Sequence, residues 1–140
     1  MNYFQVNVNY DRQIGEDNPG RVKEAYLVNA ATCGDAEKAV LDEINPFIFG
    51  DCETPKIQKK SYFELFMDSP DCDIYYEAKV ELIIVDGEKE SRKPVNILVL
   101  ANNIKTAINV LTYNLLSYDC EVIGIKKTGI TDILSVEKSE

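Results

Sequence analysis

The residues best suited to chemistry in this chain are basic and aromatic. Lys56, Lys59 and Lys60 cluster in one extended segment, and Lys126 and Lys127 in another about seventy residues further on. Ammonium groups so placed can hold the phosphates of a nucleotide or of a single strand. Tyr3 and Tyr75 recur at a similar spacing, on the polar sides of two alternating segments, where their rings could stack bases. Were the two halves of the chain related by a pseudo-twofold axis, the lysine clusters would flank one groove. The plainer explanation is structural: lysines on exposed strand edges discourage aggregation, and tyrosine is a common strand residue.

Other chemistries find less support. The chain has no histidine, so the commonest general acid and base is missing. It shows no G-x-S-x-G elbow, phosphate-binding loop or dinucleotide glycine fingerprint. Glu16, Asp17, Asp68, Asp71, Asp73, Glu88 and Glu90 fall in expected loops, where solvation accounts for them. The expectation is a protein that is not an enzyme and carries no cofactor. Cys33, Cys52, Cys72 and Cys120 are widely spaced without a C-x-x-C pair, and a structural zinc would need all four thiols to converge. Reduced thiols, some of them buried, are the simpler reading, and no metal site is expected.

A net charge of −9 and a pI near 4.6 repel nucleic acid at long range. This weakens the case for a duplex binder and leaves room for a local basic patch. An apolar fraction of 45% and a charged fraction of 28% are those of a folded soluble protein. No stretch approaches the roughly 18 uninterrupted apolar residues of a membrane span. The opening MNYFQVNVNY has no basic region followed by an apolar block, so a cytoplasmic protein without a secretory signal is expected.

The elements that must position these residues follow from periodicity. Phe4, Val6, Val8 and Tyr10 alternate with Tyr3, Gln5, Asn7 and Asn9, which predicts a half-buried strand. Gly15 and Asn18-Pro19-Gly20 signal the turn of a long hairpin returning over Glu24–Ala30. Thr32 is placed to cap a helix running to about Ile44, which Pro46 stops. Residues 46–55 read as a loop and Lys56–Phe66 as a third extended segment, with Ser69-Pro70 in the joint between halves. The second half begins with the alternation Tyr76, Ala78, Val80, Leu82. It turns at Asp86-Gly87 and returns over Val95–Ala101. Asn102 or Asn103 then caps a helix to about Leu116, and Glu121–Lys127 forms a strand that Ile130–Val136 continues.

The two halves correspond. In a register shifted by about seventy residues, Leu27, Val28, Ala30 and Ala36 meet Leu98, Val99, Ala101 and Ala107. Ile57, Lys59, Glu64, Leu65 and Phe66 likewise meet Ile125, Lys127, Asp132, Ile133 and Leu134. The expected fold is α+β: a tandem ββαβ duplication with a mostly antiparallel sheet and one helix per repeat. The repeats would occupy residues 1–67 and 74–136 and together form one compact unit, because a half of this size is marginal alone.

The motifs Tyr3-Phe4-x-Val6-x-Val8-x-Tyr10, Glu24-x-Tyr26-Leu27-Val28-x-Ala30, Ala36-Glu37 and Asn45-Pro46-Phe47-Ile48 carry a resemblance to a known family. So do Tyr76-x-Ala78-x-Val80 and the closing Thr131-Asp132-Ile133-Leu134. Over nearly its whole length the chain resembles an uncharacterised family of gut Bacteroidota and their phages. That resemblance implies a phage-encoded or bacterial cytosolic accessory protein and brings no site residues with it. Three functions stay open: a non-catalytic binding protein for single-stranded nucleic acid or nucleotides, an acidic module acting on a host or partner protein, and a small-molecule enzyme. The first uses Lys56, Lys59, Lys60, Lys126, Lys127, Tyr3 and Tyr75.

Overall fold

Alternation in the first residues becomes a strand that buries Phe4, Val6, Val8 and Tyr10 on one face. The structure is a computed structural model describing residues 2–13, 19–67 and 71–136. The expected features at Gly15, Asn18 and Ser69-Pro70, and the acidic residues Glu16, Asp17 and Asp68, lie outside the described residues. In chain order the elements are β1 (Tyr3–Gln13), β2 (Pro19–Asn29), α1 (Cys33–Ile44), a 3₁₀ turn (Asn45–Phe47), β3 (Ile48–Cys52), β4 (Lys56–Lys60) and β5 (Glu64–Phe66). They continue with β6 (Ile74–Asp86), β7 (Lys89–Ala101), α2 (Ile104–Asn114), β8 (Cys120–Lys127) and β9 (Ile130–Ser135). The described residues form two compact units, one within Met1–Ser61 and Gly129–Glu140, the other within Tyr62–Thr128.

In the first unit β1 pairs antiparallel with β2 from Tyr3 opposite Asn29 to Gln13 opposite Pro19. The Thr32 hydroxyl accepts the Asp35 backbone N–H at 3.1 Å, which satisfies an otherwise orphaned donor of the first turn and starts α1. Ala36, Val40 and Ile44 recur at helical spacing and pack on Phe4, Val6, Val8, Tyr10, Tyr26, Val28 and Ala30. Pro46 falls in the 3₁₀ turn that follows. The segment expected as a loop over 46–55 contains β3, which pairs with β1 at Tyr10 and Arg12. Gly50 makes that approach close, since a Cβ there would lie 3.0 Å from an Asp11 carboxylate oxygen. The same Asp11 oxygen accepts the Asp51 backbone N–H at 3.0 Å. Beyond β3 on the same edge, β4 pairs with Tyr3–Asn7.

The second unit repeats the hairpin logic with β6 and β7, joined through Gly87 at φ +66°, a left-handed conformation that suits glycine. Asn103 caps α2, its side-chain oxygen accepting the Thr106 N–H at 2.9 Å. Ala107, Leu111 and Leu115 pack on Tyr76, Ala78, Val80, Ile97, Val99 and Ala101. β8 pairs antiparallel with β6, with a register shift between Lys79 and Val80.

The third strands depart from expectation. Lys56–Phe66 is two strands, broken at residues 61–63, and β5 lies parallel to β7 in the second unit. β9 is not a continuation of β8. Thr128 ends β8 by donating both its N–H and its hydroxyl to the Tyr75 carbonyl, at 2.9 and 2.7 Å. After Gly129 the chain runs parallel to β2, with Leu27 opposite Ile133. Both sheets are therefore mixed, in the orders β3-β1-β2-β9 (with β4 also on β1) and β5-β7-β6-β8, and the fold is α+β, mostly β.

Two outcomes follow from this packing. Leu111→Ala should cost about 2–5 kcal/mol, read as a lower urea midpoint, because Leu111 is fully buried. Removing residues 130–140 should speed amide exchange at Ala25–Asn29 on β2, whose outer edge β9 covers. Unchanged exchange there would contradict the pairing.

Candidate functional site

Strand alternation divides each lysine cluster between two faces. Lys59 lies opposite Phe4 and so belongs to the α1 side of its sheet, at an exposed edge position. Lys56 and Lys60 lie opposite Asn7 and Tyr3, on the face turned away from α1. In the second unit Lys127 lies opposite Tyr76 on the α2 side, and Lys126 opposite Glu77 on the other face, where it pairs with Glu77 at 3.7 Å. Tyr3 is half-buried. Tyr75 is only 9% exposed, a correction to the expectation of a projecting ring, because so buried a side chain presents no face for stacking. Within the first unit, then, Lys56, Lys60 and Tyr3 share a face and Lys59 does not.

That face is uneven. Leu27 on it is fully buried, whereas Asn7, Lys23 and Lys56 are exposed. Around the exposed end lies a cavity of about 420 Å³. Its floor is Asn7, Asn9, Lys23 and Ala25 on β1 and β2; one wall is Glu53, Thr54 and Lys56, and Gly129 lines it as well. Neither Lys23 nor Lys56 makes an ion pair among the described residues. The two asparagine oxygens are occupied: Asn7 accepts from Gln5 Nε2 at 3.1 Å and Asn9 from Arg21 Nε at 2.7 Å. Arg21 can only donate, so Asn9 keeps its NH₂ as a donor. Lys23, Asn7 and Asn9 escaped the sequence argument because they stand singly in alternating strands. They become neighbours only through the β1–β2 register.

In each unit an arginine organises the charge on the sheet face turned away from the helix. Arg21 reaches Asp11 on β1 at 3.0 Å, and Glu53 and Asp51 at 3.2 and 3.8 Å, so one guanidinium ties three stretches of chain. These contacts hold the Asp11 carboxyl below its usual range, through the Arg21 hydrogen bond and then that of the Asp51 N–H. In the second unit Arg92 does the same between Glu81 on β6 and Glu121 on β8. A smaller hollow of about 390 Å³ there is lined by Glu77, Lys79, Asn96, Gly124, Ile125 and Lys126. The arginines went unnoticed in the sequence, although their spacing matches that of the two halves.

A second polar group sits at the α1 side. Glu24 accepts from the Tyr10 hydroxyl at 2.5 Å and from Tyr26 at 3.3 Å, with Arg12 at 3.8 Å. Arg12 also lies over the Phe47 ring, 4.4 Å from its centre. Burial, then the Glu24 hydrogen bond and charge, push the Tyr10 hydroxyl up to about 12; Tyr26 is raised further, again chiefly by burial. Hydroxyls held so firmly neutral are structural ties rather than acids for catalysis near neutral pH. All four cysteines are free thiols, and burial raises that of Cys120. Among the described residues no group of acidic or thiol side chains is placed to hold a metal ion, and no helix is long and apolar enough to cross a membrane.

Residues 2–136 match the family described as Domain of unknown function (DUF4494), and the chain belongs to that family. No curated protein and no solved structure matches it.

The tyrosine–glutamate tie has a pH signature. A hydroxyl whose folded pKa lies above the free value near 10 contributes stability that is complete below about pH 10. That contribution is lost as pH rises through about 12. Urea midpoints should therefore fall across this window, and Tyr10→Phe should make the fall shallower. An identical fall in the variant would remove Tyr10 from the cause.

Proposed function

We propose that this member of the family is a non-catalytic cytoplasmic binding protein, bacterial or phage-encoded as the resemblance of its motifs implies. It would hold nucleotides or single-stranded nucleic acid on the first unit's sheet face away from α1. The supporting observation is the pair Lys23 and Lys56, two lysines that make no ion pair among the described residues, beside one polar cavity in a chain of net charge −9. Lys60 and Tyr3 lie on the same face, roughly 13 Å along β1 from Asn7 at normal strand rise, but beyond the fully buried Leu27, so the open surface is the cavity end. Lys59 and Lys127 act instead as edge guards.

This reading includes a tandem ββαβ origin. Its support is internal: Val6 faces Ile57 as Ala78 faces Ile125, and Leu27 faces Ile133 as Leu65 faces Leu98. Arg21 and Arg92 occupy matching places. A second reading, a module that binds a partner protein, is favoured by the outer side of α2, where Ile104 and Ile108 are 49% and 45% exposed.

Binding of a fluorescent oligothymidylate at low salt separates these readings. Lys23→Glu/Lys56→Glu should weaken binding at least about tenfold and lower the slope of log affinity against log salt by about 1.4, as loss of two phosphate contacts requires. Lys59→Glu/Lys127→Glu should change it far less. Absence of binding to any oligonucleotide or nucleotide at low salt would end the proposal. A stable protein partner lost in Ile104→Asp/Ile108→Asp would then support the second reading.

A further inference from the structure

Resting on the reading above, we infer that the cavity between β1, β2 and the Glu53–Lys56 segment is a seat for a terminal phosphate monoester, the free end of a nucleotide or strand, rather than for an internal phosphodiester. A monoester carries about −1.5 to −2 charge near neutral pH and three acceptor oxygens. An internal diester carries a single charge and two free oxygens, so the two groups make different demands.

The cavity meets the larger demand. Lys23 and Lys56 supply two positive charges from opposite sides, one on β2 and one on β4, and neither is neutralised within the described residues. Arg21 can only donate, so its hydrogen bond fixes Asn9 with the oxygen engaged and the NH₂ as the outward donor, and the Asn7 amide, paired with that of Gln5, adds a second polar group. Thr54 adds a hydroxyl. Two acidic residues line the cavity, and both carboxylates are engaged: Glu53 by Arg21 at 3.2 Å, and Glu24, on the α1 side, by the Tyr10 and Tyr26 hydroxyls with Arg12 at 3.8 Å. Gly129 contributes no side chain, and a Cβ built there meets nothing within 4 Å, so this part of the lining is open. Such a concave seat suits a group that ends in it. A phosphate in mid-strand must leave by two ester links.

The second unit's hollow supplies the contrast. Its place opposite Lys79 is Gly124, and its Lys126 is engaged by Glu77, so it lacks two uncommitted lysines. The inference therefore concerns the first unit alone.

The test uses the whole chain and two oligothymidylates of one length, one with a terminal phosphate and one with a terminal hydroxyl, at matched ionic strength. The phosphorylated strand should bind about tenfold more tightly, as an added charge-assisted contact set requires. Inorganic phosphate should abolish that difference where an equal ionic strength of chloride does not. Lys23→Gln/Lys56→Gln should bring both strands to the same affinity, whereas Lys79→Gln/Lys126→Gln should keep the difference; circular dichroism verifies that each variant is folded. Equal binding of both strands by the unaltered protein overturns the inference and leaves the nucleic-acid reading standing. Failure of both strands to bind overturns the two together.

Discussion

Each sheet depends on one strand that the sequence does not place beside it. The β1–β2 hairpin is closed on its β2 side by β9, from the far end of the described chain. The β6–β7 hairpin is closed on its β7 side by β5, which precedes it. Both closures are parallel, and parallel neighbours cannot be joined by a tight turn, so a long connection is unavoidable. In the first unit that connection includes all of the second. Unit one is therefore complete only after the last strand has been made, and its long-range pairing carries the loop-closure cost of that separation.

The helices show how little is needed once the hairpins exist. Ala36, Val40 and Ile44 are the buried residues of α1 on its hairpin, with Ala39 and Leu41 packed beside them, and Ala107, Leu111 and Leu115 cover the other hairpin with Val110 beside them. Alanine at the first of these positions in each helix lets the backbone approach the sheet closely. The outer surfaces are free to differ. α1 exposes Asp35, Lys38, Asp42 and Glu43, whereas α2 exposes Ile104, Ile108 and Tyr113.

What periodicity encodes was legible: the strands β1, β2, β6 and β7 and the cap Thr32 follow from local pattern, and of the two asparagines offered for the second cap the structure uses Asn103. What depends on pairing was not. Ile48-Phe49-Gly50-Asp51-Cys52 follows a proline and contains a glycine, and it becomes a strand only because Asp11 and the β1 edge receive it. Ile130–Ser135 looks like a continuation of its neighbour until Thr128 binds Tyr75 and turns the chain away. The lysine clusters misled in a simple way, since adjacent residues of a strand point to opposite faces, and proximity in sequence meant separation in space. Lys23 and Asn9 are distant in sequence and face each other.

Arg21 and Arg92 have a bearing on how the chain finds its register. Each stands on the carboxylate-bearing face of its hairpin and reaches acidic groups on two neighbouring segments. A slip of one residue in either hairpin would turn that guanidinium to the other face of its sheet, away from the carboxylates it now holds. Exposed ion pairs of this kind contribute little to native stability. Their larger effect is on the misaligned states, which they raise in energy, so the two arginines act as arbiters of pairing rather than as rivets.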